Sequence, residues 1–309
     1  NTMGKHDGRL LYCLSIFFAL SLQRLSASSR PQPIPMKKLP PAPSSADPPR
    51  HPKRFAGKTF IVTGGTSGVG KTISLQLARE GAAAVTIVGR SEARGAAVVE
   101  QLVSLGCKAQ FVQCDMTSVS SVQAVVPQHV KEFGPPDGLC NSAGDTSRGT
   151  LATQTVESWD RLFAVNCRAP FLLTQASTNA MKKTGVQGSV VNIITITSHG
   201  GQPYLCGYAA SKGGLVTFTK NAAHSLRQDR IRVNGINIGW TYSEAEDRLQ
   251  KEETGKEDWL EDAKEKVPFG RLVMPQDISE LTCYLLSDSS GVCTGSVMDF
   301  DQMVMGGYD

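Results

Sequence analysis

Several familiar signals of function are missing from this chain of 309 residues. None of its eight cysteines (Cys13, Cys107, Cys114, Cys140, Cys167, Cys206, Cys283 and Cys293) forms a C-x-x-C pair, and no Cys/His cluster has the spacing of zinc ligands. Several fall in apolar runs and read as reduced core residues. There is no block of like charge. The net charge of +4 reflects a basic N-terminal fifth, with the rest near balance, so no basic patch points to nucleic acid. The apolar run Leu10–Leu22 falls short of the about 20 residues that a membrane helix needs. Acidic residues are absent between Asp7 and Asp47. What remains, 40% hydrophobic and 19% charged, is enough to build a substantial core.

The chain divides at about residue 54. Lys5 and Arg9 precede the Leu10–Leu22 run, and the small residues Ser26-Ala27-Ser28-Ser29 follow it, the order of a signal peptide. The acid-free composition also fits an organelle transit peptide. Met3 and Met36 each stand as a candidate start, and a chain begun at Met36 carries no targeting segment and is cytoplasmic. Membrane contact is expected only where the 10–22 segment is retained. Arg30–Arg54 holds more than half of the 16 prolines and reads as a disordered linker. Residues 55–309 then form the expected folded domain.

From Phe55 onward, apolar β runs alternate with helical periodicity. Strands are expected at 58–63, 85–88, 110–114, 138–140, 189–195, 231–236 and 296–300. Helices are expected through Glu80 and at 92–105, 119–133, 207–227 and 276–287, with one or two across 156–183. Gly81, Gly106 and Gly134 serve as helix stops. This alternation predicts an α/β fold, a Rossmann-type doubly wound parallel sheet with helices on both faces in one domain. Its ligand site is expected at the edge formed by the loops after the strands.

The most informative stretch, Thr63-Gly64-Gly65-Thr66-Ser67-Gly68-Val69-Gly70-Lys71-Thr72, supports two readings. As T-G-x-x-x-G-x-G it is a dinucleotide-binding turn. From Gly65 to Thr72 it is also a literal G-x-x-x-x-G-K-T phosphate loop. Both use glycine so that backbone N–H groups approach phosphate oxygens at a helix N-terminus. Beyond the second strand come Gly89-Arg90-Ser91, with no carboxylate where a dinucleotide fold selecting NAD places one. The Arg90 guanidinium there suits the 2′-phosphate of NADP.

These motifs, with later ones in order, resemble the short-chain dehydrogenase/reductase superfamily, and in particular its 3-oxoacyl-reductase-like members. The resemblance runs from about Phe55 to Gly307. Asn141-Ser142-Ala143-Gly144 is similar to the family's N-N-A-G, with Ser142 in place of the second Asn. Asn166 matches the helix Asn of the catalytic tetrad, and Tyr208-Ala209-Ala210-Ser211-Lys212 matches Y-x-x-x-K. The residue thirteen before the tyrosine, usually Ser, is Thr195, with Thr197 and Ser198 just beyond. Asn237-Ile238-Gly239-Trp240 stands where the family commonly has Pro-Gly, and Asp301-Gln302 where it has Asp-Gly.

The resemblance implies an enzyme that interconverts a ketone and a secondary alcohol by hydride transfer, with NADP(H) preferred and NAD(H) possible. Asn166, Thr195, Tyr208 and Lys212 would be catalytic, with Tyr208 as general acid/base. Lys212 would draw the phenol toward phenolate and hold the nicotinamide ribose, and Asn166 would support a proton relay. Cofactor contacts would come from Thr63, Gly64, Thr66, Ser67, Gly68, Val69, Gly70, Arg90, Ser91, Asp115, Met116, Asn141, Ala143, Gly144, Tyr208, Lys212, Ile238, Gly239 and Trp240. Thr195, His199, Tyr204 and Trp240 are the candidate substrate contacts, and the charged segment Thr241–Lys266 is the candidate lid. His129 and His224 read as ordinary helix residues. The expected partners are a small carbonyl or alcohol substrate and further copies of the chain, as a dimer or tetramer, with no metal. A phosphate-loop NTPase and a non-enzymatic NADP-binding sensor are the alternatives.

Overall fold

The computed structural model describes residues 48–305. The expected targeting segment, Cys13 and most of the Pro-rich stretch lie outside the described residues. Seven strands form one parallel sheet: β1 Thr59–Thr63, β2 Ala84–Gly89, β3 Lys108–Gln113, β4 Gly138–Asn141, β5 Ser189–Ile193, β6 Arg232–Ile238 and β7 Val297–Phe300. Their spatial order is β3-β2-β1-β4-β5-β6-β7. The order reverses between β1 and β4, and ligands bind at the strand ends beside such a switch point.

The helices are α1 Gly68–Arg79, α2 Glu92–Ser104, α3 Val119–Phe133, α4 Val156–Phe163, α5 Ala169–Thr184, α6 Cys206–Leu226, α7 Glu244–Thr254, α8 Trp259–Lys266 and α9 Pro275–Leu286. Side-chain alternation along β1 shows how they form two layers. Phe60 and Val62 enter one core with Ile73 and Leu77 of α1, Val98 and Leu102 of α2 and Ile278 of α9. Ile61 enters the other with Val122 and Val125 of α3, Leu173 of α5 and Ala222 of α6. All three apolar residues are at most 1% exposed, so the run is buried on both faces, as a parallel sheet requires.

The fold begins before Phe55, inside the stretch expected to be linker. Arg54 pairs with the buried Glu80 at 3.0 Å, and the Phe55 amide donates to the Glu80 carbonyl at 2.9 Å. The last residues of the Pro-rich stretch therefore clamp the C-terminal end of α1.

His129 departs from its reading as an ordinary helix residue. It is fully buried in α3, with Nδ1 2.7 Å from Thr86 Oγ1 and Nε2 3.2 Å from Thr59 Oγ1. Burial pushes its pKa down to about 4. At neutral pH the ring is uncharged in both the folded and the unfolded chain. As the pH falls below about 6.5, the unfolded chain gains a proton that the folded chain refuses until about 4. Stability should therefore decline with acidification across that window, by about 2 kcal/mol between pH 7.5 and pH 5. Urea unfolding at a series of pH values measures this, and His129→Gln, which does not titrate, should flatten the slope. Equal slopes in both proteins would remove His129 as the cause.

Candidate active site

Backbone geometry comes first. Between β1 and α1 the chain makes a tight turn with Gly64 at φ +66° and Gly68 at φ +50°, conformations that favour glycine. A side chain on Gly70 would strike the Gly64 carbonyl, whose carbon lies 2.7 Å from the ideal Cβ position. One on Gly89 would lie 2.8 Å from the Thr66 side chain. The absent side chains leave the turn's backbone open beside the N-terminus of α1.

This turn opens into a cleft of about 1080 Å³ at the switch point, large enough for a dinucleotide. Gly64, Thr66, Ser67, Gly68, Val69 and Gly70 line one end, with Arg90, Ser91, Asp115 and Met116 beyond them. Ala143, Gly144, Ile238, Tyr208 and Lys212 line the rest. Lys71 and Thr72 are not among the lining residues, and the Thr72 hydroxyl donates back to the Gly68 carbonyl at 3.0 Å within α1. The phosphate-loop reading thus lacks its lysine and its hydroxyl in the cleft.

Several expected contacts work behind the wall instead. The Thr63 hydroxyl oxygen accepts the Ser142 and Ala143 amides, each at 3.0 Å, and ties the end of β1 to the end of β4. Asn141 is buried and donates to Asn192 Oδ1 at 2.8 Å across β4 and β5. Asn166 sits in a five-residue π turn, Ala164–Arg168, between α4 and α5, a local insertion often found at functional sites. Its Oδ1 accepts the Asp145 amide and its Nδ2 donates to the Asp145 carbonyl, both at 2.9 Å. Nδ2 also donates to Ser211 Oγ at 3.0 Å. Asn166 thereby braces the loop after β4 against the helix that carries Tyr208 and Lys212.

Those two residues lie one turn apart on α6, and both face the cleft, as i, i+4 spacing requires. Lys212 is buried, and its Nζ donates to the Ile193 carbonyl at 2.8 Å. Burial lowers its pKa to about 8, against an opposing pull from Cys167. Burial raises the Tyr208 phenol to about 12, with a hydrogen bond to Thr195 acting the other way and Glu246 adding to the rise. The chain's own groups therefore hold Tyr208 as a protonated donor, opposite to the pull expected from Lys212. The burial that decides the direction depends on the packed fold and not on the motif. Thr195 also accepts from the Thr197 amide and hydroxyl, each at 3.3 Å. Ser198 turns instead to Asn237 Oδ1 at 3.2 Å. Of the three hydroxyl candidates, Thr195 is the one that acts on the Tyr208 phenol, from behind the residues that line the cleft.

Four expected site residues are placed elsewhere. The His199 ring pairs with Asp299 on β7 at 2.9 Å, which directs it to the last strand and away from the cleft. It borders a separate concavity with Leu151, Pro203 and Cys206. Tyr204 is 48% exposed, with the Arg148 guanidinium 5.6 Å from its ring centroid. Trp240 packs within the lid, 6.0 Å from the Trp259 ring in a cluster that Tyr242 also joins, and its indole N–H donates to Glu246 at 2.8 Å. Gly239 lies outside the cleft lining too. A side chain there would strike the Asp301 carboxylate, so glycine lets the chain after β6 pass the end of β7.

The cleft also has walls that the motifs did not reveal. Arg94 joins Arg90, one helical turn further into α2. Asp145 and Arg161, paired at 2.9 Å, stand near the mouth. Ser243, Glu244, Ala245 and Arg248 come from the lid. Arg94 was signalled only by its i, i+4 relation to Arg90. Glu244, Ala245 and Arg248 carried no motif. Among the described residues no His/Cys/Asp/Glu group is arranged to hold a metal ion, and no helix is long and apolar enough to cross a membrane.

Comparison with known proteins places this geometry. A family model described as enoyl-(acyl carrier protein) reductase matches residues 64–308. The 3-oxoacyl-acyl-carrier-protein reductase of Thermotoga maritima is 31% identical over 80% of this chain and 98% of its own. A variant of the actinorhodin polyketide ketoreductase, solved with NADPH, superposes with a TM-score of 0.75 at 28% identity, covering 79% of this chain and 96% of that one. L-Sorbose reductase from Gluconobacter frateurii, solved with NADPH and L-sorbose, gives a TM-score of 0.78 at 25% identity, covering 83% and 100%.

Proposed function

The chain belongs to the short-chain dehydrogenase/reductase superfamily of oxidoreductases, and on that premise we propose that it reduces a small ketone to a secondary alcohol, and the reverse, with NADP(H) and Tyr208 as general acid/base. The observation that carries this reading is the convergence of four groups on one cleft. The glycine turn, Arg90, Tyr208 and Lys212 all line it, and the Thr195 side chain acts on the Tyr208 phenol to hold its pKa down against burial.

The fit to a dinucleotide rests on the cradle itself, where Gly64, Gly68 and Gly70 line the cleft and Gly64 and Gly70 pack so closely on neighbouring backbone that no side chain fits between. When bound, the nicotinamide supplies the hydride. The chain's residues do the rest. Tyr208, protonated and buried, donates to the carbonyl oxygen as negative charge develops there. Thr195 positions the phenol and offers a second hydroxyl to the same oxygen. Lys212, anchored on the Ile193 carbonyl, supplies a nearby positive charge and holds ribose hydroxyls. Asn166 keeps the Asp145 backbone in register with α6 and would support the proton relay from Lys212 to solvent. A ketone panel with NADPH, and a secondary-alcohol panel with NADP⁺, tests the reading. Tight NADPH binding with no turnover of any substrate would favour an NADP-binding sensor, and ATP binding without NADPH would return the phosphate-loop reading.

Arg90 supports the choice of NADP(H). It is exposed at the end of β2, where its guanidinium suits a bidentate bond to the 2′-phosphate. Arg90→Ala should weaken NADPH by about 10- to 100-fold and leave NADH nearly unchanged, as titrated by cofactor fluorescence. Equal losses for the two would remove the clamp. Assembly as a dimer or tetramer is proposed through α4–α6, where Trp159 and Phe171 are 37% and 40% exposed. A monomer in sedimentation analysis at micromolar concentration would exclude it.

A further inference from the structure

The lid helix α7 is fixed about its own axis by two indoles. The Trp240 N–H donates to Glu246 at 2.8 Å, and the Trp259 N–H donates to Asp247 at 2.9 Å. The helix's two adjacent carboxylates are thus drawn toward the apolar cluster of Trp259, Leu272, Trp240 and Tyr242. That rotation leaves Glu244, Ala245 and Arg248 on the cleft wall, the i, i+1, i+4 stripe of one helix face. The lid also has a fixed height. Ser243, its N-cap, lies 3.6 Å from the position a Cβ on Gly68 would take, so the first turns of α7 run directly past the glycine turn. At its far end Glu253 pairs with Arg148 at 2.6 Å.

Arg248 is therefore a cation on the wall of the same cleft that the glycine turn lines. Two of the carboxylates beside it are already engaged. Glu246 accepts from Trp240 and from Gln250 at 2.9 Å, and Asp247 from Trp259 and from Lys251 at 3.2 Å. Arg161, another cation of the wall, is held by Asp145. Arg90 and Arg94 belong to the end of β2 and the start of α2, away from the lid.

We propose that Arg248 binds the diphosphate of the dinucleotide from the lid, across the cleft from the glycine turn. The inference rests on the reading of the cleft as a dinucleotide site and deepens it. A guanidinium presents a planar fork of donors that suits phosphate oxygens. Glu244, one turn earlier on the same face, opposes this attraction and offers Arg248 a competing partner.

NADPH and NADH share the diphosphate and differ at the 2′-position, which separates Arg248 from Arg90. Arg248→Gln should weaken NADPH, NADH and ADP-ribose alike by about tenfold, the size of one charge-assisted hydrogen bond. Arg248→Lys should recover part of the loss, and Glu244→Gln should tighten all three ligands. ADP-ribose should protect the lid from Glu-specific proteolysis in the wild type and much less in Arg248→Gln. Unchanged affinities in Arg248→Gln, or a loss confined to NADPH, would overturn the assignment. A wild-type protein that binds neither NADPH nor NADH would bring down the dinucleotide reading and this inference together, a failure distinguishable from the other two.

Discussion

Replacing Tyr208 by Phe should lower ketone turnover by about 10²- to 10⁴-fold, the range that a positioned proton donor contributes, while NADPH affinity changes less than about twofold. The substitution removes one oxygen from a residue 9% exposed and leaves the ring to fill the same space. The lost group is the phenol hydroxyl, and none of the backbone of the glycine turn depends on it. The pH profile carries further information. With the phenol pushed up to about 12, the acid form persists through neutral and mildly alkaline pH, so reduction should be flat with pH until Lys212, lowered to about 8, begins to lose its charge. Oxidation needs the base form of the phenol and should rise with pH over the same interval. Single-turnover rates in both directions with saturating cofactor measure this. Turnover retained in Tyr208→Phe would overturn Tyr208 as the acid.

The strands and most helices were legible because their signals are local. Apolar runs such as Phe60-Ile61-Val62 and stop glycines such as Gly81 set the ends of β1 and α1 to within about two residues. The 156–183 segment stayed ambiguous for a physical reason. A π turn at 164–168 adds backbone between α4 and α5 with no proline or glycine inside it, and Pro170 just beyond sits in the first turn of α5, where proline is tolerated. Tyr208, Lys212 and Asn166 were readable from their motif pattern. Their hydrogen-bond partners were not, because Asp145, Ile193 and Ser211 come from separate elements.

The misplacements share a cause. His199 meets Asp299 across 100 residues of sequence, and that partner sits on a strand whose neighbour is fixed only by sheet order. Trp240 was expected in a pocket because an aromatic beside a site has two possible faces. The indole–carboxylate bonds that settle the matter depend on how α7 and α8 pack together. His129 hid in a helix because Thr59 and Thr86 become neighbours only when β1 and β2 pair. The rise in the Tyr208 pKa belongs to the same class, since burial is a property of the assembled layers.

Gly70→Ala should abolish measurable dinucleotide binding and lower the melting temperature by about 5 °C or more, although it adds only one methyl group. The added Cβ would face backbone on two sides, the Gly64 carbonyl carbon at 2.7 Å and the Thr63 carbonyl oxygen at 3.1 Å. Neither can swing aside as a flexible side chain would. Gly64 is itself confined at φ +66°, with its own ideal Cβ position 3.0 Å from the Ala143 amide nitrogen. Ala143 in turn is fixed by the Thr63 hydroxyl. Relief of the clash must therefore open the turn, separate β1 from the end of β4, or shift α1, and each route misplaces the amides aimed at phosphate. Overpacking of this kind costs about 1–3 kcal/mol, which corresponds to several degrees in a domain of this size. Gly106→Ala is the informative comparison. Gly106 also has positive φ, at +82°, but no atom lies within 4 Å of its ideal Cβ position. It should show the backbone strain alone, with cofactor affinity intact. Thermal melting and NADPH titration of the two variants separate strain from collision, and a Gly70→Ala protein that binds NADPH as tightly as Gly106→Ala would show that the turn yields where its packing says it cannot.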